Sequence, residues 1–168
     1  GQSVKKALMR TPIDGARLSS GFGRRKHPIL GYTKMHKGID FAAPRGTPIF
    51  AAGNGTIQYA GRKGAYGNFV LIRHNSTYST AYAHMNRIKT AKGRRVKQGQ
   101  TIGYVGTTGR STGPHLHYEF LVNGVHRNPR TVQLPKAASI PPDQLEDFLY
   151  ETERNRMLLA SQISKNID

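Results

Sequence analysis

Short runs of alternating apolar and polar residues, separated by glycine-containing turns, occupy the chain from about residue 21 to residue 130. A period of two with turns marked by glycine is typical of β-strands joined by tight connections. The runs are TPIFAAGNGTIQYAG, GNFVLIRH, YSTAYAHM, GQTIGYVGTTG and HLHYEFLVNGVHRNP. No long helical period interrupts them. The pattern therefore predicts a mainly β fold, an antiparallel β barrel or sandwich.

Two connections between these runs have recognisable turn chemistry. Asn123-Gly124 stands between two apolar runs, and this dipeptide favours a type I′ hairpin turn because both residues tolerate positive φ. The polar residues around Asn75-Ser76 separate the preceding pair of runs. Both connections are short enough to join antiparallel neighbours.

The end of the chain has a different period. Asp143 and Glu146 form a pattern similar to a capping box after the two prolines at 141–142. Apolar residues then follow at roughly helical spacing: Leu145, Phe148, Leu149, Leu158, Leu159 and Ile163. We expect an N-terminal segment (1–18), a β domain (19–134), and a linker with a C-terminal helical extension (135–168).

Charge is distributed unevenly along the 168 residues, whose formal net charge is +17. Residues 1–140 hold 23 Lys and Arg and three acids, Asp14, Asp40 and Glu119. A surface this basic attracts polyanions such as nucleic acid, anionic lipid or an acidic cell-wall polymer, and salt weakens such attraction. No nucleic-acid-binding motif accompanies the charge, so no specific nucleic-acid partner is expected. The acidic tail beside a basic body leaves autoinhibition and dimerisation open.

Composition excludes several classes of protein. The chain has no cysteine, which rules out disulfides and thiolate metal sites. No run approaches the ~20 apolar residues of a membrane-spanning helix. The first residues lack the apolar stretch of a secretion signal, so any targeting segment is expected to lie outside this sequence.

The first candidate functional residues are His115 and His117, which flank Leu116. On a strand these two imidazoles point to the same face, and Leu116 points to the other. A pair at this spacing can bind a metal, relay protons or simply line a polar strand face. Strand geometry does not choose among these.

His36 and Asp40 supply a second candidate pair. Gly38 and the following AAPRG argue against a helix here, so we expect a loop that runs into a short strand and brings both side chains to one point. Two imidazoles and one carboxylate are a typical ligand set for catalytic zinc, with the fourth position open. His84, at the end of the YSTAYAHM run, and the unused member of the 115/117 pair are then available for proton transfer.

The three segments MHKGIDFAAPRGTPIFAAGNGTI, YAHM and GRSTGPHLHYEF closely resemble the lysostaphin-type, LytM-domain zinc endopeptidases of peptidoglycan. The resemblance covers about residues 19–130. The preceding SSGFGRRKHPILGYTKMH is similar to a segment of Gram-negative members that cleave cross-links. The fold implied is the LytM-type β barrel or sandwich, with zinc in an open groove.

The resemblance also implies a role for each candidate residue. His36, Asp40 and His117 would bind one zinc ion per chain. His84 and His115 would be the catalytic pair that handles the water and the tetrahedral intermediate. His74 and His126 are expected to be structural or at the surface, and His27 to line the groove without binding metal.

The function implied is zinc-dependent hydrolysis of peptide bonds in peptidoglycan, with the D-Ala–diaminopimelate cross-link as the expected bond. The expected partners are peptidoglycan peptides and, through the basic face, anionic envelope surfaces. The expected location is the periplasm or another extracytoplasmic compartment. The alternative is a LytM-like module that performs no catalysis and binds peptidoglycan or activates another cell-wall hydrolase.

Overall fold

The computed structural model describes residues 7–26 and 31–134. These residues form twelve β-strands and one turn of 3₁₀ helix at Gly64–Tyr66. The strands are β1 (Arg17–Ser20), β2 (Gly23–Lys26), β3 (Thr33–His36), β4 (Ile39–Ala42), β5 (Pro48–Phe50), β6 (Gly55–Arg62), β7 (Asn68–Arg73), β8 (Tyr78–Ile88), β9 (Arg95–Val96), β10 (Thr101–Val105), β11 (His115–Val122) and β12 (Val125–Arg127).

One antiparallel sheet contains ten of these strands. Its main order is β1-β4-β11-β8-β7-β6-β9, while β10 pairs with both β8 and β5, and β12 pairs with β11. Strands β2 and β3 form a separate two-stranded sheet. The predicted mainly β, antiparallel architecture is confirmed.

The barrel included in that prediction is wrong. Closure of the sheet would require its terminal strands, β1 and β9, to pair, and the described strands have no such pairing. The predicted C-terminal helix lies outside the described residues, and the division of the chain at 18/19 and 134/135 stays a prediction. Among residues 7–26 and 31–134, no helix has the length and apolar character needed to cross a bilayer.

Both predicted hairpin connections are present. Asn123 and Gly124 have φ values of 50° and 75°, as a type I′ turn requires. The β7–β8 connection is held by Asn75, whose Oδ1 accepts hydrogen bonds from the backbone N–H groups of Thr77 and Tyr78, each at 2.8 Å. Local turn chemistry therefore sets the register of these hairpins.

The main hydrophobic core includes two residues of the N-terminal segment. Leu8 and Ile13 are each 2% exposed and pack with the core residues of the strands. The buried hydroxyl of Tyr82 accepts a hydrogen bond from the Ala52 N–H and shares one with Thr80, both at 2.8 Å. The largest fully buried side chains are Tyr82, Tyr118, Phe120, Leu8, Ile39, Ile49, Ile57, Ile72, Met85, Ile102, Leu116 and Val70.

The site residues meet because β11 lies between β4 and β8. The register places His117 opposite Asp40 of β4 and opposite Ala83 of β8. His36 is the last residue of β3, where a loop was expected, because β2 and β3 form a hairpin that pairs His36 with Gly23. Only Lys37 and Gly38 separate this hairpin from β4.

Gly38 is needed because the connection between β3 and β4 passes close to β11. A Cβ at this position would lie 2.4 Å from the backbone oxygen of Tyr118 and 2.9 Å from Cε1 of His117. A backbone oxygen cannot swing away as a side chain can, so any larger residue must displace the connection itself. Gly38 therefore couples strand packing to the position of His117.

Replacement of Gly38 by alanine is expected to destabilise the protein, because the added methyl group overpacks the contact with β11. Such strain costs about 1–3 kcal/mol. Urea unfolding of metal-free protein measures the change. Gly21→Ala is the matched control, since a Cβ at Gly21 meets no atom within 4 Å. Equal unfolding midpoints for the two variants would contradict this account of the connection.

Candidate metal centre and active site

Three candidate ligands from β3, β4 and β11 converge on one point. His36 Nε2 lies 3.2 Å from Asp40 Oδ1 and 3.2 Å from His117 Nδ1. His117 Nδ1 lies 2.8 Å from Asp40 Oδ1. All three side chains are partly accessible, with exposed fractions of 10–17%. The three donor atoms thus form a compact triangle at the floor of a solvent-reachable site.

This triangle fits a tetrahedral metal such as zinc. Ligands placed tetrahedrally about 2.0–2.2 Å from zinc lie about 3.3–3.6 Å from one another. The observed separations are slightly shorter than these values. Two nitrogens and one carboxylate oxygen also match the ligand chemistry of catalytic zinc, which leaves a fourth position for water or substrate.

The outward nitrogen of each ligand histidine is committed to a hydrogen bond. His36 donates from Nδ1 to the carbonyl oxygen of Gly21 at 2.7 Å. His117 donates from Nε2 to Oε1 of Glu119 at 3.0 Å. A metal-binding histidine characteristically donates its other N–H in this way, which fixes the tautomer and the ring orientation. The remaining nitrogens, His36 Nε2 and His117 Nδ1, are those that face Asp40.

The side chain of Arg25, on β2, reaches the same end of His36. It contacts His36 Nδ1 and donates a hydrogen bond to the Gly21 carbonyl oxygen at 2.8 Å. The two donors share one acceptor, so the β2–β3 hairpin holds His36 from behind. This places a permanent positive charge beside the site.

The hydrogen bonds of the site keep the Asp40 carboxylate ionised. Burial raises the pKa of Asp40, but hydrogen bonds from His117 and His36 outweigh this and hold the pKa well below its usual range. Burial also lowers the pKa of His117, but hydrogen bonds to Asp40 and Glu119 outweigh that effect and raise it to about 9. Without metal, a shared proton therefore holds His117 and Asp40 together.

His84 and His115 lie beside the ligand triangle. Their ring centroids are 4.7 Å apart, and the His84 ring is 5.9 Å from that of His117. His84 donates from Nδ1 to the Thr108 carbonyl oxygen at 2.7 Å, and His115 donates from Nδ1 to the Gly113 carbonyl oxygen at 2.8 Å. Their Nε2 atoms are thereby left as acceptors, and His115 Nε2 lies 3.9 Å from Asp40 Oδ1.

The backbone of His84 is unusual because its φ is 60°. Positive φ is unfavourable for a residue with a side chain, and such strain is concentrated at functional sites. The ladders of β8 with β7 and with β10 both shift register next to Met85. Thr108, whose carbonyl oxygen holds His84, is fixed in turn by its own hydroxyl, which donates to Met85 O at 2.7 Å.

The hypothesis drawn from the sequence gives no role to two neighbours of the site, Glu119 and Tyr66. Glu119 is 3% exposed and contacts His117, Tyr66 and His126. A signal for Glu119 was present, since residues 115, 117 and 119 share one strand face and Glu119 is one of three acids in the basic part of the chain. Tyr66 comes from the 3₁₀ helix and has no comparable sequence signal.

The other histidines lie apart from the triangle or outside the described residues. His74 bonds to Asn54 O at 2.7 Å and to Thr80 Oγ1 at 2.8 Å. Burial lowers the pKa of His74, which is consistent with a neutral structural residue. His126 contacts Glu119 and is therefore not an isolated surface residue. His27 lies outside the described residues.

Sequence comparisons match this chain to a peptidase family and to a protein named as a peptidoglycan endopeptidase. Residues 34–129 match peptidase family M23. The chain is 54% identical over 155 residues to the peptidoglycan DD-endopeptidase ShyC of Vibrio cholerae, covering 92% of this chain and 36% of that protein. This chain thus spans little more than a third of that curated relative.

Solved structures show the same fold. A zinc-containing peptidase from Vibrio cholerae matches with a TM-score of 0.74 and 41% identity, covering 78% of this chain and 41% of the other. The catalytic domain of lysostaphin from Staphylococcus simulans matches with a TM-score of 0.63 and 33% identity, covering 70% and 91%. The LytM-type resemblance of the sequence motifs is confirmed, and the chain belongs to peptidase family M23.

Proposed function

We propose that this chain is a zinc-dependent endopeptidase that hydrolyses peptide bonds in peptidoglycan. The observation that carries the proposal is the triangle of His36, Asp40 and His117 donor atoms, in which each imidazole is held from behind by a hydrogen bond. One zinc ion per chain, bound by these three residues, would supply a Lewis acid and lower the pKa of water towards ~7.

His84 and His115 are proposed as the catalytic pair. Each neutral ring donates from Nδ1 to a backbone carbonyl, so each presents an acceptor at Nε2. One of them can take the proton of the attacking water as a general base. Once protonated, its Nε2–H becomes a donor that can stabilise the developing oxyanion or protonate the leaving amine.

His84 is expected to be neutral before it accepts a proton. Burial is the largest influence on the pKa of His84 and lowers it. This favours the neutral ring near pH 7. A pair that alternates between acceptor and donor suits a hydrolysis that proceeds without a covalent enzyme intermediate.

The proposed bond is the D-Ala–diaminopimelate cross-link. The support for it is the 54% identity to a protein named as a peptidoglycan DD-endopeptidase, together with the Gram-negative-like segment before His36. Such a substrate implies a periplasmic location. Stem peptides carry carboxylates, so exposed basic residues flanking the site, including Arg24, Lys26 and Arg110, favour their binding.

The alternative of a module that performs no catalysis is not favoured. Loss of a ligand or of a catalytic histidine would be expected in such a module. Here all five candidate residues are present, and all five lie within one network of contacts centred on Asp40 and His117. The strained backbone of His84 also has no evident use in a purely structural domain.

Digestion of intact sacculi tests the proposed activity. Muropeptide analysis by mass spectrometry should show conversion of cross-linked dimers to monomers. A chelator should suppress the conversion and added zinc should restore it. A synthetic peptide with a glycyl bridge serves as the comparison substrate and should be cleaved more slowly. Undiminished dimers in the presence of zinc would contradict the proposal.

Two substitutions separate metal binding from catalysis. Asp40→Ala removes a ligand and should lose both zinc and activity. His84→Ala should retain zinc while activity falls about 10²–10⁴-fold, the usual contribution of a positioned acid–base group. Zinc content by atomic spectroscopy and the rate of dimer cleavage are the two measurements.

Asp14→Ala is the control for these variants, because it removes an exposed acid from the N-terminal segment. It should change neither zinc content nor rate. Full zinc content in Asp40→Ala would refute the ligand assignment, and full activity in His84→Ala would refute the role of that histidine.

A further inference from the structure

Glu119 is a buried carboxylate directly behind the candidate metal ligand His117. It lies two residues further along β11, on the same strand face, and is 3% exposed. A buried carboxylate is costly unless hydrogen bonds compensate for the lost water. Retention of a charge at this position therefore requires partners, and the identity of these partners indicates what the charge does.

Three side chains from different elements bond to Glu119. Its Oε1 accepts from Tyr66 Oη at 2.8 Å and from His117 Nε2 at 3.0 Å. Its Oε2 accepts from His126 Nε2 at 2.8 Å. The carboxylate is thus fixed by the 3₁₀ helix on one side and by β12 on the other. Only one of these three partners belongs to the candidate metal site.

The contact with His117 decides which nitrogen of that ring faces the site. When the ring is neutral, an acceptor at Nε2 keeps the proton there, and the lone pair of Nδ1 is then directed at Asp40 and His36. Without the acceptor, a neutral His117 could carry its proton on either nitrogen. The tautomer with Nδ1–H would point a donor at the position where a metal would bind. Glu119 therefore influences the tautomer of His117 in addition to packing against it.

His126 extends the chain of contacts towards the surface. Its side chain is 26% exposed, and it lies on β12, where it pairs with Leu121 of β11. The hydrogen bond from His126 occupies the oxygen of Glu119 that His117 does not use. It restricts rotation of the carboxylate and so holds Oε1 towards His117. Substitution of a partly exposed residue can test this arrangement with little disturbance of the core.

We propose that Glu119, held in place by His126, is a positioning residue that orients His117 for metal binding. This inference rests on the proposed zinc site. Carboxylates that orient metal-binding histidines contribute about 10–100-fold to metal affinity. A purely structural role, tying β11 to β12 and to the 3₁₀ helix, would change the stability of the metal-free protein without changing its affinity for zinc.

Zinc affinity of the metal-free full chain, measured by competition with a chromophoric chelator, tests the proposal. Glu119→Ala should bind zinc about 10–100-fold more weakly than wild type. Glu119→Gln keeps an oxygen that can accept from His117 and should lose less. His126→Ala should show a smaller loss of about 3–10-fold, since it acts one contact further away.

Val125→Ala is the matched control on β12, because Val125 is 52% exposed and adjacent in sequence to His126. It should leave zinc affinity unchanged. Urea unfolding of each metal-free variant separates affinity from folding. If Glu119→Ala fails to fold, His126→Ala decides the question alone.

The outcomes distinguish the two proposals. Absence of zinc binding by wild-type protein would overturn the metal site and this inference together. Tight binding by wild type, with equal affinity in His126→Ala and in every folded Glu119 variant, would overturn the positioning role alone. Lower stability with unchanged affinity would likewise assign Glu119 a structural role.

Discussion

The arrangement of the site depends on one constraint, which is that a neutral imidazole carries hydrogen on only one of its two nitrogens. A hydrogen-bond acceptor placed at one nitrogen keeps the hydrogen there and leaves a lone pair on the other nitrogen. Four histidines meet here, and each has a fixed acceptor behind it. Carbonyl oxygens of Gly21, Thr108 and Gly113 hold Nδ1–H of His36, His84 and His115. A carboxylate oxygen of Glu119 instead holds Nε2–H of His117. With metal bound as proposed, every inward-facing nitrogen would consequently be an acceptor or a ligand.

The connections between strands supply the three carbonyl acceptors, because Gly21, Thr108 and Gly113 all lie outside the strands. Central placement of β11 brings its same-face side chains against β4 on one side and β8 on the other. The β2–β3 hairpin brings His36 from a separate sheet, its acceptor Gly21 lies in the connection between β1 and β2, and Gly38 permits the short connection into β4. Backbone carbonyls are rigid acceptors, so the fold itself sets the tautomers of His36, His84 and His115.

Much of this architecture follows from the sequence. Period-two alternation places His115 and His117 on one face with Leu116 buried behind them, and Asn123-Gly124 forms the expected turn. The choice of nitrogen could not be predicted, because each acceptor comes from a segment distant in the chain. The strained φ of His84 depends on register shifts between β8 and its neighbours, which leave no local sequence signal. The hydrogen bonds that Tyr66 and His126 donate to Glu119 are likewise not apparent from the sequence, because these partners come from other elements.

The protonation pattern of the histidines tests this account most directly. Long-range ¹⁵N–¹H correlation NMR on zinc-loaded protein distinguishes a nitrogen that carries hydrogen from one that binds metal. The account predicts Nδ1–H with metal at Nε2 for His36, and Nε2–H with metal at Nδ1 for His117. His84 and His115 should show Nδ1–H and no bound metal. Metal at Nε2 of His117, or at either His84 or His115, would contradict the account.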